Sequence, residues 1–166
     1  MTTEIDTYRK LLGEKYAELD RILDGLPDEA LLWRPFEESP WRGAANVLGF
    51  IVAHALSSTV YLLARAEWTL GRRAWSDVDG DEGSEEFGLA NHQVAYLRER
   101  VWRTHATVDA FLGSLSPHDL DASATHPDDP ARTLQARYDV VHSIEHLSEH
   151  IGQAQITRQL WALESA

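Results

Sequence analysis

Three histidines spaced four residues apart, in His142-Ser-Ile-Glu-His146-Leu-Ser-Glu-His150, are the residues whose type and spacing most directly offer chemistry. On a helix, positions i and i+4 lie one above the other on the same face, so two successive imidazoles can aim nitrogens at one point. Two His from one helix and a third donor from another make three ligands and leave a coordination position open. That is the pattern of a catalytic metal site rather than a structural one. All three cannot share an ion, because His142 and His150 are two turns apart, about 12 Å along the axis. The usable pair is therefore 142/146 or 146/150.

A third donor is available in His54, which sits between Ala53 and Ala55 in the middle of an apolar run. A buried imidazole needs a partner, since an unsatisfied buried polar group costs on the order of 1–3 kcal/mol. A core hydrogen bond would meet that need as well as a metal. Likewise, a helix carrying Glu145, Glu149, Gln153 and Thr157 beside its histidines could simply turn a polar stripe to solvent. Spacing alone leaves the histidines between ligation and structure. His92, His105, His118 and His126 fall on loops or other helix faces and read as surface or structural residues.

Composition removes several chemistries. The chain has no cysteine, which excludes disulfides, a Cys-based zinc site and a thiol nucleophile of its own. A formal charge of −12, from 15 basic and 27 acidic side chains, argues against binding a phosphate backbone, so no nucleic-acid partner is expected. The six Trp then read as packing residues rather than a base-stacking platform. Ser57 and Ser58 lie inside a helix, with no nucleophile elbow, and no Gly-rich phosphate loop is present. Asp77, Asp79 and Asp81 alternate like the opening of an EF-hand. That loop needs Gly at its sixth and Glu at its twelfth position, where this chain has Glu82 and Gly88, so a solvated acidic loop is expected.

The elements that must position the histidines are helical. From Glu4 to Leu26 apolar residues recur at three- and four-residue intervals, predicting an amphipathic first helix that stops near Gly25. A short helical turn follows at Leu26–Leu32, then an irregular loop between Pro35 and Pro40. Asn46 is placed to cap a second, largely apolar helix from Val47 to Leu70, closed by Gly71 and Arg72-Arg73. Its length suits a membrane span, but Asn46, His54 and Ser57 to Thr59 interrupt it and Arg42 and Arg65 flank it. A buried helix of a bundle is expected, with no membrane partner. A third helix is predicted over Leu89–Leu115, a polar loop over Ala122–Arg132, and a fourth helix capped by Thr133 and running to Leu163. No stretch alternates with period two, so no sheet is required. One domain over residues 1–166, all-α and built as a four-helix bundle, accommodates these elements, with sites projecting inward from facing helices. The acidic N-terminus lacks an apolar leader segment, and a cytoplasmic location is expected.

Leu31-Leu-Trp-Arg-Pro35, then Asn46 with Gly49-Phe-Ile-Val-Ala-His54, then His146-Leu-Ser-Glu-His150-Ile-Gly-Gln153, resemble in this order the DinB/YfiT-like superfamily of bacterial four-helix bundles. The resemblance spans essentially the whole chain. It implies a divalent metal held by His54, His146 and His150, with His142 an outer neighbour, and a homodimer. It also implies activities like those of S-transferases and isomerases that use a low-molecular-weight thiol such as mycothiol or bacillithiol. Three imidazoles accept Zn, Ni, Fe, Mn or Cu, with Zn or Ni the foremost expectation. The expected function is thus thiol transfer or isomerisation on a small-molecule substrate. The alternatives are a metal-dependent hydrolase, with Glu145 or Glu149 as base if one turns inward, and a non-catalytic bundle braced by its metal.

Overall fold

The structure is a computed structural model and describes residues 3–39, 43–78 and 87–165. Four helices dominate it: α1 (Glu4–Leu23), α2 (Leu48–Thr69), α3 (Val94–Gly113) and α4 (Ala136–Glu164). Cross-helix pairs fix their directions. Arg9 meets Asp109 and Arg98 meets Asp20, so α1 and α3 are antiparallel. Arg158 reaches the carbonyls of Arg21 and Ile22, and Gln155 reaches Glu18, so α1 and α4 run together. Arg100 donates to Ser57, and Arg72 to Ser114, which sets α2 parallel to α3. The bundle is up-down-down-up, and the connections from α1 to α2 and from α3 to α4 cross its diagonals.

Helix α1 begins with a reciprocal cap, in which Thr3 Oγ1 accepts from the Asp6 amide and Asp6 Oδ2 from the Thr3 amide. It buries Ile5, Leu12, Tyr16, Leu19, Ile22 and Leu23. Past its end Gly25 takes φ 70°, and Gly71 takes φ 69° after α2, the left-handed turns that glycine allows at helix ends.

Three expected boundaries move, each for a stated reason. Asn46 does not cap α2. Val47 holds that position, and the Leu48 amide donates instead to the Trp33 carbonyl, 3.1 Å away. The third helix starts at Val94 rather than Leu89, because Leu89–His92 forms a separate 3-10 turn and the Val94 amide is capped from a distance by Asp28 Oδ1 at 2.8 Å. Thr133 does not cap the fourth helix, which starts at Ala136. It lies in a strand, β2 (Asp129–Gln135), that pairs antiparallel with β1 (Ser123–His126), opposite Thr125. The segment expected to be a polar loop is thus mostly a hairpin. Trp75 pins its tip to the end of α2, donating through Nε1 to Asp128 Oδ2 and meeting the His126 ring edge-on. Among the described residues the tryptophans flank the core instead of filling it, and Trp102 is half exposed. Trp41, and the EF-hand-like run from residue 79 to 86, lie outside the described residues.

The start of α2 is clamped. A Cβ on Gly49 would stand 2.8 Å from the Asn91 carbonyl oxygen and 3.1 Å from that of Leu31, so the two 3-10 turns at Asp28–Leu32 and Leu89–His92 close onto bare backbone. Because two of the opposing atoms are backbone, Gly49→Ala is expected to destabilise the protein by about 1–3 kcal/mol, read as a lower urea midpoint with unchanged m-value. A midpoint equal to wild type would show that the clamp is loose. Helix α2 is long and apolar enough to cross a membrane, but 78% of its most apolar window is buried inside the bundle, which accounts for its composition.

Candidate metal centre

The longest seam of the bundle is the antiparallel contact between α2 and α4, and the histidines lie in it. His54 comes from α2, one turn after Phe50, whose ring stacks on it at 5.8 Å between centroids and 9° between planes. His146 and His150 come from successive turns of α4. The three rings converge edge to face: 5.3 Å from His54 to His146, 4.8 Å from His54 to His150 and 4.4 Å from His146 to His150. One nitrogen from each lies within 4.8 Å of the other two, and all three side chains are half-buried.

The hydrogen bonds around the rings bear on what they can hold. Gln153 Oε1 accepts from His150 Nδ1 at 2.9 Å, which fixes the proton there and leaves a lone pair on Nε2. That Nε2 lies 3.3 Å from His146 Nε2. His146 Nδ1 is buried without any hydrogen-bond partner. Burial, reinforced by the neighbouring His150, His54 and His142, lowers the pKa of His146, so the ring is held in the neutral form that ligates metal. Ser58 Oγ, 3.4 Å from His54 Nε2, touches the third ring. Three imidazoles with facing nitrogens, a neutral member and an orphaned ring nitrogen form a donor set that suits a divalent ion.

The structure also chooses between the two pairs that the spacing allowed. His142 is outside the cluster: its Nδ1 pairs with Glu145 Oε2 at 3.2 Å, and its ring stacks on Tyr138. Glu145 and Glu149 are exposed, so neither is an inward base. His105 stacks on Tyr16 in a structural role.

Residues given no part in the site from the sequence complete the surroundings. A cavity of about 350 Å³ is lined by Phe50, which stacks on His54, together with Phe87, Arg34, Asn46 and His92; none of the three clustered histidines lines it. Phe50 carried a signal, standing one turn before His54, but an aromatic in an apolar helix reads first as core. Further along the same seam, Arg65 of α2 meets Asp139 of α4, with Nη2 3.0 Å from Oδ1 and both side chains buried.

The family model of the DinB superfamily matches residues 11–154, a span that holds all three clustered histidines. Comparison with curated proteins finds no match.

Proposed function

The chain belongs to the DinB superfamily, and we propose that it is a metal-dependent enzyme that holds one divalent ion through His54, His146 and His150 and acts on a small thiol and an electrophilic substrate. The observation that carries this reading is the convergence of three imidazoles from two helices with no carboxylate among them. A divalent ion in such a site supplies Lewis acidity, polarising a carbonyl or drawing the pKa of a thiol or water toward neutrality.

The protein's own residues supply the rest. Gln153 orients the His150 ring, and Phe50 stacks on His54 and also lines the 350 Å³ cavity. That cavity is of a size for a small substrate, with Arg34, Asn46 and His92 as its polar groups. With no cysteine in the chain, the thiol comes from a small molecule. Hydrolysis is the less supported chemistry, since Glu145 and Glu149 are both exposed.

The test is an assay of protein reconstituted separately with Zn, Ni, Fe and Mn, given a panel of low-molecular-weight thiols with an aryl halide acceptor. Turnover that needs both metal and thiol is the expected result. Metal-dependent ester cleavage without thiol would replace this reading with the hydrolase, and full metal occupancy with neither activity would replace it with the metal-braced bundle.

A further inference from the structure

A second pocket, of about 270 Å³, lies where the hairpin meets the first turns of α4, lined by Arg65, Arg132, Thr133, Leu134, Gln135 and Tyr138. Two guanidinium groups border it in a chain whose formal charge is −12. Arg65 is only 7% exposed. Beyond the contact with Asp139, its Cζ lies 5.7 Å from the centre of the Tyr61 ring, and its buried Nε has no hydrogen-bond partner. A buried charged donor without an acceptor is costly, and the planar fork of Arg is shaped for a group that offers two oxygens. Arg132, exposed on β2, acts electrostatically on Asp139 but makes no hydrogen bond or ion pair among the described residues. Two cations against one buried acid leave an excess of positive charge at the pocket.

We propose that this pocket binds the oxyanion of a small ligand, a carboxylate or a phosphate, between Arg65 and Arg132. The Arg65 guanidinium, its Nε–H closed to solvent in this structure, turns that N–H to the ligand and gains the acceptor it lacks, and Arg132 meets the ligand from the hairpin. Tyr138, at the pocket's edge, stacks on His142, whose ring is 5.9 Å from that of His146. The two sites therefore share one aromatic edge of α4, and from Tyr138 to His146 is about 12 Å along the axis. A substrate anchored here by its anionic end meets the histidines with a reacting group at about that reach. This last step rests on the metal-enzyme reading; the anion site itself does not.

The test is NMR of the arginine Nε–Hε signals while sodium phosphate, and separately sodium acetate, is titrated against chloride at constant ionic strength. A saturable shift of the Arg65 signal is expected, and Arg132→Gln, at an exposed position, is expected to weaken binding at least tenfold. Saturation by one anion alone identifies the group as phosphate or carboxylate. The His146→Ala/His150→Ala protein should bind the anion as wild type does, so a failure of the metal reading leaves this result standing. A drift that never saturates with either anion, or equal binding by Arg132→Gln, overturns the proposal.

Discussion

His146→Ala/His150→Ala is expected to abolish divalent-metal binding, from about one ion per chain to none by elemental analysis, because it removes two of three donors and a lone imidazole is a weak ligand. Each single variant of the three, His54→Ala included, should also lose the ion, whereas His142→Ala should keep it, its ring being engaged with Glu145 and Tyr138. The loss also reads as stability. An ion that binds only the native state adds about 4 kcal/mol at a thousandfold excess over Kd. For a chain of this size that is on the order of 10 °C in Tm, gained by the wild type on metal addition and absent in the double variant. The two metal-free proteins should differ far less, because the cluster without a metal carries an unpartnered His146 Nδ1 that alanine removes. Full metal content in the double variant would sink the assignment.

The sequence shows the histidine pair because its signal is local. Helical periodicity puts i and i+4 on one face, and no tertiary fact is needed to see it. It could not choose between 142/146 and 146/150, since the spacing is the same. That choice depends on which turn of α4 faces His54, which is settled by the register of the α2–α4 seam. The helices were legible from their apolar stripes, and Gly25 and Gly71 from the turns they permit. What was illegible is non-local. Asn46 looks like a cap until the Trp33 carbonyl takes the amide at the start of α2, and Val94 starts α3 because Asp28 reaches it from the end of the first connection. The hairpin escaped because of β2 only Leu134 is buried, too little for an alternating pattern. Arg65 read as a flanking charge and Asp139 drew no notice, because a buried ion pair between two helices has no spacing signature in one chain.

That pair supports the second large effect. Asp139 is fully buried, and burial pushes its carboxyl up to about 6, against the pull of Arg65, His142 and Arg132. The folded protein thus holds this proton more tightly than the unfolded chain, whose carboxyl titrates at 3.8. Its contribution to stability is full below the unfolded value and is lost as pH rises toward 6, a change of about 3 kcal/mol that stays constant above. Asp20 and Asp109, paired with Arg98 and Arg9, and Asp119, held by the Ser116 amide and hydroxyl, have lowered pKa values, run the opposite way and lose their contribution as pH falls. The raw pH profile therefore mixes signs, and the measurement is the difference in unfolding free energy between wild type and Asp139→Asn in urea. That difference should fall across this window and be flat above it; a flat line throughout would show that Asp139 ionises as in water. At neutral pH, Arg65→Met should cost about 3–5 kcal/mol, since it strands a buried carboxylate, while Arg65→Met/Asp139→Leu should recover most of the loss. An ion pair that apolar residues can replace without loss of stability is not what holds the seam together. If Asp139→Asn, which keeps Arg65, no longer binds phosphate or acetate, the role of Asp139 is to hold the Arg65 guanidinium, otherwise poorly accommodated in an apolar seam, beside the pocket.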